Sequence, residues 1–353
     1  MKGILKKSIA LSIMAAILIS MAVPAAANTN VLPGGGFESL LTNEFATSTD
    51  EIEITNAVGN GYSFGGGAWT IWASNAAVPA TLNYNGGNPW VAINRTNAGY
   101  MTLTSAPFAI SRGATYRLSF DYRSGIKNTK AMLRANLIHC TEEGDGSGSS
   151  VLFTSQTGAN TAFHHVEVYF TCPTSRSNIK KAQLQFMLED RIEKVMLQNL
   201  SMEICDENTV LWYNTTDTIE TNAVQVNPWF KDTYGYSIAH VMQTNSGQTP
   251  VLAPTVGNSY TVIKALPVVV EAEGVIPVMI LAQYKGTSLN SVNIIDNLSP
   301  ALDASSGLYI QNLKGETITV NAGTDTYKAF YWKSFSSMNP QSQMGMGSVL
   351  PQM

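Results

Sequence analysis

The chain is poor in charge, cysteine and histidine. Only 13% of its 353 residues are charged, and it holds 3 cysteines and 4 histidines. Low charge with 44% hydrophobic residues excludes a disordered polyelectrolyte, because the apolar surface suffices to offset chain entropy. A net charge of −4 excludes the basic footprint that displaces counterions from nucleic acid. Cys140, Cys172 and Cys205 match no zinc spacing. Cys140 and Cys172 fall in one expected domain, where export would permit a bridge, and Cys205 is left over. No Gly-x-Ser-x-Gly elbow and no His-Glu-x-x-His motif occurs. Glycosidase chemistry needs two carboxylates about 5 to 9.5 Å apart across a cleft. Glu142, Glu143 and Asp145 instead crowd into one Gly/Ser-rich loop, and Glu189-Asp190 closes a turn. His164 and His165 are adjacent on a strand pattern, so they point to opposite faces and do not chelate together. The expectation is a protein that is not an enzyme.

One long apolar run is present. Lys2, Lys6 and Lys7 precede the stretch Ile9 to Val23, and Ala25-Ala26-Ala27 follows Pro24. A basic n-region, a short apolar core and small residues at the end read as a cleaved signal peptide over 1–27. No later run is long enough to span a bilayer, which takes roughly 20 apolar residues. The chain is therefore expected to be secreted, with no membrane span after cleavage.

Beyond residue 28 almost nothing has helical periodicity. Tyr116, Leu118, Phe120 and Tyr122 alternate with Arg117, Ser119 and Asp121. The runs Gln183 to Leu188, His164 to Phe170 and Leu133 to Leu137 repeat the pattern. A period of two with one apolar face is a half-buried antiparallel strand, and many such strands separated by Gly, Asn, Ser and Pro predict an all-β sandwich. The first domain is expected over 28–206. The stretch 207–257 is polar and poorly patterned, a linker or the start of the next domain. Strands resume at Tyr260 to Val270, Val275 to Tyr284, Thr317 to Val320 and Tyr327 to Trp332, predicting a second, smaller domain over 258–340. Phe330 and Trp332 read as its core anchors. Residues 341–353, rich in Met, Ser, Gln and Gly, read as a mobile tail.

Candidate ligand groups fall into two sets. Tyr62, Phe64, Trp69, Trp72, Tyr84 and Trp90 crowd among glycines and asparagines. Trp69 reads as core, whereas Trp72, Trp90 and the loop-tip Tyr84 are candidate platforms for the apolar face of a sugar ring. The polar faces of the alternating strands supply planar hydrogen-bonding groups, Arg117, Asp121, Arg123, Arg134, Asn136, Gln183 and Gln185. These form a single polar surface if their strands are neighbours.

The opening Asn30-Val31-Leu32-Pro33-Gly34-Gly35-Gly36-Phe37-Glu38, then Trp69, the strand Tyr116 to Arg123, the aromatic-rich run Phe163 to Thr171 and the closing strand Val195 to Glu203 occur in that order. Together they resemble jelly-roll, galactose-binding-like carbohydrate-binding modules. The resemblance implies a jelly roll that binds polysaccharide or another glycan on a polar sheet face. It also implies a structural calcium (Ca2+) near Glu38, with Gln198 standing where that family often has an aspartate; an amide oxygen coordinates without the charge that strengthens a hard-cation site. The end of the chain, Val278 to Tyr284 with Leu289, then Tyr327 to Ser334 with Met338-Asn339-Pro340, resembles the immunoglobulin-like module that closes secreted clostridial-type proteins. It implies a spacer or adhesion unit in a bacterial cell-surface protein. The leading expectation is a secreted, non-catalytic binder of extracellular or cell-wall polysaccharide. The alternative is a structural or adhesion protein with a protein partner at the cell surface.

Overall fold

The computed structural model describes residues 30–43, 51–54, 61–73, 80–85, 88–94, 101–126, 133–155, 162–188, 192–205, 209–220, 232–245, 247–265, 268–270, 277–296, 301–303, 308–311, 316–332, 334 and 345–352. The expected signal peptide lies outside them, and no helix among them is long and apolar enough to cross a membrane. The first half holds β1 (Glu51–Ile54), β2 (Tyr62–Phe64), β3 (Trp69–Ala73), β4 (Ala80–Asn85), β5 (Asn88–Asn94), β6 (Met101–Ser105), β7 (Phe108–Ala109), β8 (Thr115–Ile126), β9 (Leu133–Cys140), β10 (Gly146–Thr154), β11 (His164–Thr171), β12 (Lys181–Leu188) and β13 (Ile192–Cys205). Then come β14 (Val210–Asn214), β15 (Ile219–Glu220), β16 (Ser237–Asn245), β17 (Ser259–Lys264), β18 (Val268–Val270), β19 (Val278–Lys285) and β20 (Ser288–Ile295). The chain closes with β21 (Ala301–Asp303), β22 (Leu308–Gln311), β23 (Glu316–Thr319), β24 (Thr326–Trp332) and β25 (Gly345–Ser348).

The first sandwich packs a sheet of order β1-β4-β5-β13-β8-β11-β16-β15 against one of order β10-β9-β12-β6-β3-β2, with β7 beside β12. From β8 to β13 the chain crosses between the sheets at each connection except the β9–β10 hairpin, in the manner of a jelly roll. The alternation read in the sequence sets what lies between them: Leu118, Phe120 and Tyr122 face Leu184, Phe186 and Leu188 in one core. Phe120 makes edge contacts with Phe153 and Phe186 at 5.5 and 5.1 Å, a geometry that sets positive ring edges on negative faces.

The opening motif is stitched to the closing strand. Asn30 Oδ1 accepts from the backbone N–H groups of Leu32 and Met202, both at 3.1 Å, and Asn30 forms a bridge with Glu203. Trp69 is fully buried and donates its indole N–H to the Gly36 carbonyl at 2.6 Å. Gly36 has φ +77°, and a Cβ there would stand 2.2 Å from the Leu200 carbonyl oxygen, so only glycine fits.

The stretch 207–257 divides between the two sandwiches. β14 leaves to pair with β17, then β15 and β16 return to the first sandwich, where β16 pairs with β11 from His164↔Asn245 to Thr171↔Ser237. The second sandwich sets β14-β17-β23 against β20-β19-β24-β25, with a separate small sheet β18-β22-β21. Its core holds Trp212, Tyr260, Met279, Leu281, Tyr327 and Tyr331. Phe330 and Trp332 are not core anchors. The inward positions of β24 are Tyr327, Ala329 and Tyr331, and the alternation turns Phe330 and Trp332 to the outer face of the sheet.

The expected mobile tail is also corrected. Residues 345–348 form β25 on the edge of β24, Val349 joins the core, and Leu350 pairs with Thr255. Gly347 permits this, because a Cβ there would stand 2.6 Å from the Tyr327 hydroxyl. Between the sandwiches, Tyr169 of β11 packs with Leu211, Tyr213, Ile263 and Ala265.

A fragment of residues 28–206 lacks β16 and leaves β11 as a bare edge with Tyr169 uncovered. It is expected to aggregate and to lack a cooperative thermal transition, while the full chain shows one; differential scanning calorimetry with size-exclusion chromatography measures both.

Candidate functional site

Strand order decides which candidates meet. Arg123 and Trp90 lie on the outer side of the β8-containing sheet, where Arg123 pairs with Met196 and Trp90 with Asn83. Trp72, Arg134, Asn136, Gln183 and Gln185 lie on the outer side of the opposite sheet. The single polar surface expected from the sequence is thus two surfaces on opposite sides of the sandwich. Tyr84 is not at a loop tip: it stands in β4 opposite Pro89, within the β4–β5 hairpin.

The outer side of the β8 sheet is closed by charge. Arg117 grips Glu167 with two parallel bonds, Nε to Oε2 at 2.7 Å and a terminal nitrogen to Oε1 at 2.9 Å. Glu167 Oε1 also bonds His165 Nε2 at 2.8 Å, and His165 Nδ1 bonds Asp121 Oδ1 at 2.7 Å. Asp121 Oδ2 accepts from Asn199 at 2.7 Å and from Gln198 at 3.4 Å. Asn199 has φ +52°, the left-handed region that Asn tolerates, at a β-bulge between Gln198 and Ser201. The bulge turns its amide onto Asp121. Glu203 stands 3.8 Å from Arg117 and accepts from Ser201. The centre of this network is not a solvated face: the Arg117 and Glu167 side chains are 13% and 0% exposed.

Burial by itself would push the His165 imidazole down, but its bonds to Asp121 and Glu167 outweigh that and raise it to about 9. Burial likewise works against the Glu167 carboxylate, and Arg117 with His165 holds it at about 2. His165 is therefore an imidazolium between two carboxylates. This is a structural use of the strand-facing histidine, while His164 turns inward against Tyr122.

The outer side of the opposite sheet is composed differently. One register row runs Trp72–Thr102–Met187–Arg134, and the next runs Ser63–Thr70–Thr104–Gln185–Asn136–Val151. Neighbouring members of the second row are linked, Ser63 to Thr70 at 3.0 Å, Gln185 to Thr104 at 3.3 Å and Asn136 to Gln185 at 3.4 Å. Asn136 Oδ1 is buried and has no donor among the described residues. Gln183 donates to the Ser105 carbonyl at 3.0 Å. The inward partners on these strands, Ile71, Leu103, Phe186, Ala135 and Leu137, are all in the core, which fixes this row of side chains outward. Trp72, Arg134 and Gln185 are half-buried. The arrangement sets one large ring, amide and hydroxyl groups and one guanidinium along this side of the sheet.

Sequence reasoning did not anticipate a third cluster. His139 Nε2 meets Ser150 Oγ at 2.8 Å, Ser150 donates on to Asp232, and the His139 ring stacks on Tyr236 at 4.6 Å. This is not a nucleophilic triad: the serine bonds both partners, the second ring nitrogen Nδ1 has no partner among the described residues, and His139 is fully buried. Burial lowers His139 to about 4. Asp232 Oδ1 accepts from the N–H groups of Tyr234 and Tyr236, so the cluster clasps the segment leading into β16 onto the first sandwich.

For the implied calcium, Glu38 is exposed, and the Gln198 amide is turned to Asp121. Among the described residues, no group of three or more His, Cys, Asp and Glu side chains is arranged to hold a metal ion. Cys140, Cys172 and Cys205 form no disulfide, and Cys140 on β9 and Cys172 at the end of β11 lie in opposite sheets.

No protein-family model and no curated protein matches the chain. Among solved structures it is similar to the enzymatically active domain of tailspike protein 4 of bacteriophage CBA120, at 11% identity and TM-score 0.31, over 50% of this chain and 22% of that one. It is also similar to a cyclase from Fischerella sp. TAU, at 12% identity and TM-score 0.35, over 50% of this chain and 96% of that one. A family 11 carbohydrate-binding module of a cellulosomal cellulase of Clostridium thermocellum matches at 15% identity and TM-score 0.28, over 43% and 94%. The chain thus spans about a fifth of the length of the tailspike domain.

Protonation linkage sets the pH response. With a folded value of about 9 against 6.5 unfolded, the His165 contribution is complete below pH 6.5 and lost as pH rises through 9. The Glu167 contribution is complete above pH 4.5 and lost as pH falls through 2. His139, at about 4 against 6.5, contributes fully above pH 6.5 and is lost as pH falls toward 4. Stability is expected to peak near pH 6.5, read from chemical denaturation across pH. Glu167→Gln leaves Arg117 and His165 buried without their counter-charge and is expected to cost about 3–5 kcal/mol in the same assay.

Proposed function

We propose that the protein is a secreted, non-catalytic binder of extracellular or cell-wall polysaccharide, and that the ligand lies across the outer side of the β3–β6–β12–β9 strands. The observation that carries this reading is the pairing of Trp72 with an amide–hydroxyl ladder on the open side of a sandwich whose other side is closed by Arg117, Glu167, His165 and Asp121. A flat indole covers the apolar face of a pyranose, and planar amides reach its hydroxyls. The half-buried Gln185 amide and the flanking threonines supply donors and acceptors along the sheet. Trp90 and Arg123, on the far side, take no part. The motif order of the opening and closing strands supports the same class by resemblance.

The second sandwich is read as an immunoglobulin-like spacer, since β14-β17-β23 faces β20-β19-β24-β25 across one core. One observation favours the alternative of an adhesion protein with a protein partner. The outer face of the β19 sheet is apolar, with Val292, Phe330 and Trp332 half-buried around Ile280 and Tyr284. Crosslinking on the producing cell distinguishes the two, because a discrete protein adduct at Trp332 favours adhesion.

Affinity electrophoresis of the full chain through a panel of soluble polysaccharides tests the leading reading. Retardation on at least one glycan is expected, with Trp72→Ala weakening it about tenfold or more and Trp90→Ala leaving it unchanged. No retardation on any glycan by the folded chain would sink it.

A further inference from the structure

Residues 232–236 lead into β16 and touch both sheets of the first sandwich. On one side they meet β9 and β10. The Tyr236 ring stacks on His139 at 4.6 Å, the Tyr234 ring meets the same imidazole edge-on at 4.7 Å, and Asp232 accepts from Ser150. Gly148 makes room for Tyr234, because a Cβ there would stand 2.6 Å from that ring. On the other side they meet the chain just beyond β11. The Tyr236 hydroxyl donates to the Cys172 sulfur, and a Cβ on Gly235 would stand 3.3 Å from Pro173. Tyr236 and Cys172 belong to the core between the sheets, and Tyr234 packs against it. The segment is thus a strap that plugs one end of that core.

The order of hydrogen bonds fixes where the protons of the clasp sit. Asp232 accepts on both oxygens: Oδ1 takes the N–H groups of Tyr234 and Tyr236 at 2.9 and 2.8 Å, and Oδ2 takes the Ser150 hydroxyl. A serine hydroxyl has one proton to give. With that proton on the bond to Asp232, the Ser150 oxygen accepts from His139 Nε2–H. Nδ1 is then the bare nitrogen of the ring, buried and without a partner among the described residues. A further proton has to go there, where it makes a buried charged donor with no acceptor. The charged and titratable groups facing the ring are Asp232 through Ser150, Arg176 over Tyr234 at 4.7 Å, and Tyr236 with Cys172 behind it. Lys181, beside the Ala182 that pairs with His139, is turned away onto the Glu142 carbonyl. Burial outweighs the attraction of Asp232, and Arg176 adds to it, so the imidazole is held down at about 4.

We infer that residues 232–236 are an acid-released strap, which lets go of the end of the first sandwich when His139 Nδ1 takes up a proton and seals it again when that proton leaves. The release is confined to the strap. As pH falls from 6.5 to 4 the clasp loses the contribution of neutral His139, while Glu167, at about 2, stays ionised and His165, at about 9, stays protonated. The Arg117 network therefore keeps β8, β11 and β13 in register over the range in which the strap loosens. What the open state uncovers is the core end itself, with Tyr236 and Cys172 turned to water.

The test is hydrogen–deuterium exchange of the full chain across this pH range, corrected for the intrinsic effect of pH on exchange. The reporters are the N–H groups of Asp232, Tyr234, Gly235 and Tyr236, all of which are hydrogen-bonded in the closed strap. Their protection is expected to fall about a hundredfold between neutral pH and pH 4, the linkage for an imidazole moved from 6.5 to about 4. Protection on β8 and β12 is expected to hold, and return to neutral pH to restore the strap. A pyridyl disulfide, mapped by mass spectrometry, is expected to label Cys172 only in the acid state. His139→Phe keeps a ring against Tyr236, and His139→Gln keeps a donor for Ser150; neither titrates, so both are expected to leave strap protection flat with pH. Where one of them does not fold at neutral pH, the other carries the comparison. Strap protection that stays constant in the wild type overturns the inference. Loss that persists in the variants assigns the response to another group and overturns the role of His139. Loss on β8 and β12 in step with the strap is global acid unfolding and overturns the strap as a separate device.

Discussion

The paired hydrogen bonds between Arg117 and Glu167 are the interaction on which the rest of the molecule depends. A carboxylate with no exposure survives only if its charge is matched and its oxygens are occupied. Arg117 does the first, and Arg117 with His165 does the second. The demand then propagates: His165 becomes charged and needs Asp121, whose second oxygen needs the Asn199 amide, which reaches it only from a bulge. Because these groups come from β8, β11 and β13, the network locks three strands in register. A slip of one residue in any of them would turn the charges into the apolar core.

The same network explains why the two sandwiches are joined rather than strung together. Charges packed this densely on a sheet must be kept dry for the pairing to hold its strength. Tyr169 beside Arg117 is covered by Leu211 and Tyr213 from the second sandwich, and β16 closes the open edge of β11. One sheet is thus committed to internal bonding and to its neighbour. The other is left with a polar exterior. This asymmetry gives the molecule a front and a back.

Much of this was legible in the sequence. The period-two runs on β8, β9, β11 and β12 set the strands, their inward residues and the all-β class. The opening and closing motifs were placed at the two ends of one domain, and they meet through Asn30 and Met202. Three things were hidden, each for a physical reason. Alternation says which residues share a side of a strand but not what covers that side, so Arg117 and Asp121 read as candidate ligand groups when they are interred. Sheet membership depends on pairing between strands far apart in the chain, so Trp90 and Arg123 were grouped with Trp72 and Arg134. Strands with little alternation of their own leave no pattern: Gly345–Ser348 is placed by its edge pairing with β24, and Ser237–Asn245 by its pairing with β11.

The return of β15 and β16 to the first sandwich has a consequence in time as well as in space. Residues that complete a sheet opened by β1 arrive nearly two hundred positions later, after β14 has already been assigned to the second sandwich. A chain emerging in sequence therefore passes through an interval in which thirteen strands are present, yet Glu167 and Tyr169 border an unpaired edge. Loop closure of that length makes nucleation slow and exposes the edge to other chains. The molecule should depend on reaching residue 245 quickly, and on whatever holds it extended until then, more than a protein built of two sandwiches in tandem would.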